Sequence, residues 1–214
     1  MRNIIRGNLY FFIPYLLFLM VCSILLLLMN KAELHLFLNQ ANSPFFDTFF
    51  RYATFLGDGA MIAIISLVLI FIRFRYAFAF LIGSLVTAGL INLFKKVILD
   101  DIYRPSKYFE LFENVKLHLV EGVNLHSLQS FPSGHTGTAF NVFFILALVV
   151  KNNLLKLFFL LMAVIVAYSR VYISQHFLID ITVGSVIGIV IMFFSYLWIK
   201  IWKKKWLDNS LLAL

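Results

Sequence analysis

The amino-acid sequence predicts an all-α, polytopic membrane protein with six transmembrane helices and a short interfacial helix in its first outer loop. Three observations predict it. Hydrophobic residues make up 62% of the 214-residue chain and charged ones only 13%, with a mean hydropathy of +0.94; soluble domains sit near about half apolar and a quarter charged. The apolar residues gather into six segments, and lipid offers their backbone groups no partners, which makes each segment a helix. Lysine and arginine divide unevenly between alternate connections, as membrane topology demands. The length fits a single domain, residues 1–214.

The first apolar segment, residues 9–29, carries no charge and has the roughly 20 residues that cross a bilayer. It is too long for a signal-peptide core, and no small-x-small cleavage site follows it. In residues 31–59, Phe45, Phe46, Phe49, Ala53 and Leu56 recur at near-helical spacing behind Asn42-Ser43-Pro44. This predicts the interfacial helix, with Asp58 placed to cap the second span. That span, 60–72, is short unless 55–59 extend it, and the third covers 77–94. A long polar connection, 98–131, holds five acids and two histidines. The fourth, fifth and sixth spans follow at 136–150, 154–172 and 178–201. Gly184 with Gly188, and Ser84 with Ala88, are small-xxx-small pairs suited to close helix packing inside one bundle.

If the N-terminus is cytoplasmic, the inner segments hold Arg2, Arg6, Arg73, Arg75, Lys151, Lys156, Lys200, Lys203, Lys204 and Lys205 against one acid, Asp208. The outer segments hold the other eight basic residues with nine acids. Both termini then face the cytoplasm. The net charge of +8 does not point to nucleic acid, because the basic residues flank apolar runs and form no stripe. The one cysteine, Cys22, lies in an apolar run without a partner and is read as a small buried apolar residue.

Ionisable groups at the edges of apolar helices are costly, by about 2.5–3.5 kcal/mol at a helix centre, and here they gather on the outer side. Arg170 ends the fifth span, and His176 and Asp180 open the sixth. His135 opens the fourth, in Pro132-Ser133-Gly134-His135, and Lys95, Lys96 and Arg104 close the third span and begin its loop. His176 and Asp180 are four apart, so on one helix face the carboxylate orients the imidazole and leaves its other nitrogen free. The turn at Ser133-Gly134 offers backbone N–H groups and a helix dipole to an anion. Arginines add forked bonds to phosphate oxygens. Two histidines, a carboxylate and several cations suit phosphoryl transfer.

Arg104-Pro105, Pro132-Ser133-Gly134-His135, and Ser169-Arg170 with His176 and Asp180 resemble the three signature motifs of the type 2 phosphatidic acid phosphatase (PAP2) family, in order and at helix ends. The resemblance covers nearly the whole chain and implies a PAP2-like helical core. It departs from the family at the first motif, whose lysine position is Val97 here. Lys96, one residue earlier, is read as its replacement ahead of Lys95, and snorkelling of both lysines is the alternative. A residue turns a helical side chain by about 100°, so either lysine needs a local bulge or a long reach.

The resemblance implies that His176 attacks phosphorus, Asp180 orients it and His135 protonates the leaving group. It implies that Arg104, Arg170, Ser133, Gly134 and Lys96 hold the phosphate. It further implies a lipid phosphatase acting at the outer leaflet of a bacterial plasma membrane, with a lipid phosphotransferase as the second reading. Undecaprenyl diphosphate is the first substrate expectation, beside phosphatidylglycerol phosphate, phosphatidic acid and lipid A. His118, Glu121 and His126, with Glu110 and Glu113 nearby, match no metal-site spacing; they are read as solvated loop residues or headgroup contacts. No metal and no cofactor is expected. The expected partners are the bilayer and a membrane lipid phosphate, with the oligomeric state left open.

Overall fold

A computed structural model describes residues 1–213. Its helices, in chain order, are α1 (Arg2–Arg6), α2 (Leu9–Leu28), α3 (Lys31–Leu38), α4 (Pro44–Ala53), α5 (Gly59–Ile72), α6 (Phe74–Leu93), α7 (Pro105–Phe112), α8 (Gly134–Val149), α9 (Asn153–Tyr172) and α10 (Leu178–Lys200). A 3₁₀ turn, Thr54–Gly57, joins α4 to α5, and α6 runs on into a π-helical turn, Phe94–Ile98.

The caps follow the sequence. Ser43 accepts the Phe46 N–H to start α4, and Asp58 accepts the Gly59 N–H to start α5. α4 is the expected amphipathic helix between the first and second apolar segments. α3 was not anticipated, although Asn30 caps it through the Glu33 N–H, a side-chain signal legible in the chain. Nor was α7, which Pro105 opens at its first turn.

All six apolar segments are helical, but they do not all have the length of a full span. Four helices, Leu9–Leu28, Phe74–Ile98, Asn153–Tyr172 and Leu178–Lys200, are long and apolar enough to cross a membrane. Pro44–Gly57 and Gly59–Ile72 form a fifth only as a pair bent by 58°. α8 is shorter, at 16 residues. It is also the central helix, packed against α5, α6, α9 and α10, and most of its side chains are buried. Protein rather than lipid surrounds it, so its length is not set by the bilayer.

The main core runs through the bundle. Phe11 and Tyr15 of α2 meet Phe140 and Phe144 of α8, with Leu160 and Val166 of α9 and Met192 of α10 in the same cluster. Outside it, α2 exposes Leu16, Leu17, Met20, Ile24, Leu27 and Leu28, the apolar coat that lipid requires. Two glycines allow backbones to meet around the start of α8. A Cβ on Gly184 of α10 would sit 2.6 Å from the Ser133 carbonyl oxygen, and one on Gly57 would sit 2.5 Å from that of His135.

The bundle has two chemically different ends. At one, Arg75 bonds Asp208 and the Ile199 and Trp202 carbonyls, the Phe74 N–H reaches the Asn209 carbonyl, and Lys156 donates to the Gly7 carbonyl. At the other, the segments around residues 31–58, 95–131 and 170–180 come together, and every candidate residue of the outer cluster lies there.

Candidate active site

The turn after α9 fixes the geometry. Ser174 adopts φ +52, and both Gln175 and His176 donate their N–H groups to the Arg170 carbonyl. The chain therefore reverses within the gap between Arg170 and His176 and brings the two side chains to one site. Asp180 then reaches back in the first turn of α10 to accept the Phe177 N–H at 2.9 Å, a carboxylate closing the helix start. The same oxygen, Oδ2, lies 3.3 Å from His176 Nδ1 and accepts the Ser130 hydroxyl at 2.5 Å. His176 precedes α10, so this contact is made through the helix cap and not along one helix face as the four-residue spacing predicts. The carbonyl of Asp180 accepts the Ser133 N–H at 3.0 Å, which ties the start of α10 to the start of α8.

His176 is 1% exposed and Asp180 2%. Burial holds the His176 imidazole well below its usual range, and the positive charges of Lys95, Arg170 and Arg104 push it the same way. Both effects favour the neutral ring, and Asp180 beside Nδ1 favours the tautomer that carries its proton on that nitrogen. Nε2 bonds no described residue and keeps its lone pair.

Two arginines flank the histidine. Arg104 donates from Nε to the Leu128 carbonyl at 2.9 Å and from Nη1 to Gln175 Oε1 at 2.7 Å. Gln175 in turn donates to the Asn124 carbonyl. Arg170, 6% exposed, donates from Nη1 to Thr54 Oγ1 at 2.7 Å. Its buried Nε has no partner among the described residues, and a guanidinium in that state has a donor to give to an anion.

At the start of α8, Ser133 Oγ accepts from the Thr136 N–H and hydroxyl. The Ser133 N–H is taken by Asp180, so the first-turn N–H groups of Gly134 and His135 are the ones without an intrahelical acceptor. His135 lies between two openings. One is a cavity of about 170 Å³ lined by Gly134, Thr87, Ile91, Asn92 and Lys95. The other, of about 280 Å³, is lined by Arg170, Gln175, Thr54, Arg51 and His126.

The structure places the two candidate lysines differently. Lys95 is partly buried and lines the smaller cavity with His135, whereas Lys96 is exposed. The cause is the π turn, in which the Leu99 N–H bonds the Phe94 carbonyl at 2.8 Å. Such a turn takes an extra residue and re-aims the side chains around it. Replacing Lys95 with alanine is expected to lower kcat/KM on the order of 10–100-fold, the scale of one charge-assisted phosphate contact. Lys96→Ala should stay near wild type, and steady-state kinetics on both variants checks the order.

Several partners of the site were not legible as such. Ser130, Gln175 and Thr54 orient Asp180, Arg104 and Arg170. His35 of α3, buried and held neutral with its pKa pushed down to about 4 by burial and then by Lys31, meets Ser174 Oγ at 3.2 Å and packs on Phe109 and Phe177. His118 does not join Glu121 and His126. It pairs with Asp47 at 2.9 Å, and Asp47 also accepts the Tyr172 hydroxyl at 2.6 Å. No group of three or more His, Cys, Asp or Glu side chains is placed to hold a metal among the described residues.

The PAP2 superfamily model matches residues 74–204, which contain all three motifs. The chain is 26% identical over 187 residues to a lipid A 4'-phosphatase of Porphyromonas gingivalis, covering 84% of this chain and 77% of that one. The crystal structure of Aquifex aeolicus LpxE superposes with a TM-score of 0.67 at 27% identity, over 77% of this chain and 93% of that one. A PAP2-type phosphatidylglycerolphosphate phosphatase from Bacillus subtilis shares the fold, with a TM-score of 0.57 at 21% identity over 91% and 98% of the two chains. The chain belongs to the PAP2 superfamily, as a membrane-embedded phosphatase.

Proposed function

We propose that this protein dephosphorylates a lipid phosphate or diphosphate at the outer leaflet, through a phosphohistidine on His176. The observation that carries the reading is a buried imidazole whose Nδ1 faces Asp180 and whose Nε2 bonds no described residue, beside a buried arginine whose Nε has no partner among the described residues. Nε2 attacks phosphorus in line with the leaving oxygen, and Asp180 stabilises the imidazolium that forms. Arg104, Arg170, Lys95 and the Gly134 and His135 N–H groups bind the equatorial oxygens, where charge develops. Ser133 caps α8 and fixes those N–H groups. His135 protonates the leaving oxygen and then takes a proton from the water that cleaves the phosphoenzyme. A phosphate bound beside His135 brings the negative charge that lets it carry its proton.

The whole chain acts as one domain, because α2 shares its core with α8, α9 and α10. The charges at the two ends of the bundle support one topology. The end rich in Arg and Lys and poor in acids, with both termini, faces the cytoplasm, and the site faces outward. The relatives are bacterial, which supports a bacterial plasma membrane. Undecaprenyl diphosphate remains the first substrate, and the relatives lend support to two others already expected, a lipid A phosphate and phosphatidylglycerol phosphate.

Phosphate release from these lipids and from phosphatidic acid, measured on detergent-purified protein with chelator present, tests the reading. Turnover of at least one lipid is expected. No release from any of them contradicts it.

A further inference from the structure

The larger cavity beside His135 extends past the groups that hold one phosphate. It is lined by His135, Arg170 and Gln175 together with Arg51, Asn124 and His126. Neither Arg51 nor His126 belongs to the three motifs. Arg51 lies in the last turn of α4, three residues before Thr54, which accepts from Arg170. The helix that carries Arg51 is therefore fixed to the arginine of the phosphate cradle.

Arg51 is also held by the 120s loop. Its Nη1 donates to the Glu121 carbonyl at 3.1 Å, and its guanidinium rests on Gly122. A Cβ there would lie 2.6–2.7 Å from the guanidinium atoms, and the backbone at Gly122 has φ +74. Glycine serves both needs at once, supplying the left-handed turn and the space for the arginine. Arg51 Nε and Nη2 bond no described residue, and no carboxylate pairs with it. His126, exposed at the same rim, lines this cavity together with His135 and Arg170.

We infer that Arg51, with His126 beside it, forms a second anion subsite, and that the preferred substrate carries a second phosphate adjacent to the one in the cradle, as a lipid diphosphate does. The inference rests on the phosphatase reading of this cavity and narrows its substrate class. One phosphate held by Arg170 at the start of α8 leaves Arg51, which lines the same cavity, facing water, where an isolated charge contributes little. A phosphate linked to the first through one bridging oxygen stays within the same cavity and meets the free edge of a preset guanidinium, whose geometry matches phosphate oxygens.

Calorimetric titration of the full chain in detergent with chelator, using methylphosphonate and methylenediphosphonate, tests the subsite without hydrolysis. Wild type is expected to bind the diphosphonate on the order of tenfold or more tighter, the scale of one charge-assisted contact. Arg51→Ala should bring that ratio close to one, and Gly122→Val should do the same by pushing the guanidinium off its seat. Equal affinity for the two probes in wild type, or an unchanged ratio in Arg51→Ala, overturns the inference. Hydrolysis of lipid diphosphate against lipid monophosphate gives the lipid arm, in which the turnover ratio should fall by a similar factor. A fall in the diphosphonate ratio with the lipid ratio unchanged overturns the lipid assignment. Because the phosphonates bind without reacting, failure of the subsite and failure of catalysis are read separately.

Discussion

His176→Ala is expected to lower phosphate release by about 10⁴-fold or more, the scale seen when a nucleophile is removed from an intact site. The loss should fall on kcat, with substrate affinity largely kept, because Arg104 is held by Leu128 and Gln175 and Arg170 by Thr54. None of these bonds involves the imidazole. Among the described residues the His176 side chain makes one polar contact, to Asp180, so folding should survive the change. Single-turnover kinetics with a lipid diphosphate separates the two parameters. Activity within tenfold of wild type contradicts the assignment of the nucleophile.

The second large effect is expected at Asp180. Asp180→Asn keeps the volume and removes the charge, and a fall in kcat on the order of 10²–10⁴-fold should follow, by analogy with loss of the carboxylate that orients a catalytic histidine. Oδ2 accepts from Ser130, from the Phe177 N–H and from His176. An asparagine oxygen in that place satisfies the first two but no longer stabilises the imidazolium that forms as His176 attacks. Ser130→Ala leaves the charge in place and should cost less, roughly tenfold, the size of one hydrogen bond to a charged group. The order of the two variants is the informative result. A larger loss for Ser130→Ala than for Asp180→Asn contradicts the role given to the carboxylate.

The parts of this site that were legible in the sequence are those where a polar residue stands at the end of an apolar run. Arg170, His176, Asp180, His135 and Arg104 meet that description, and the structure gathers them. Ser43, Asp58 and the phenylalanines of α4 were legible for a related reason, since caps and helical spacing are local signals. Thr54, Ser130 and Gln175 were not, because each matters only through a partner far along the chain, as Thr54 does through Arg170. The exchange of Lys96 for Lys95 had no local signal either. Phe94–Ile98 reads as one more helical turn, and its π geometry does not follow from the residue types. Helix α8 shows the limit of counting spans by hydropathy. A helix enclosed by its neighbours has no need of a full bilayer length, so six apolar segments did not translate into six long spans. α3 and α7 were missed although Asn30 with Glu33 and Pro105 mark their starts, because eight residues carry too little periodicity to stand out.

The most direct test is to trap the phosphoenzyme. Wild-type protein mixed with its lipid substrate is quenched in alkali within the first turnover, and its peptides are mapped by mass spectrometry. The expected result is phosphate on Nε2 of His176, since Nδ1 faces Asp180, and none on the His176→Ala protein. Phosphate found on His135, or turnover with no phosphohistidine formed at any time, contradicts the mechanism.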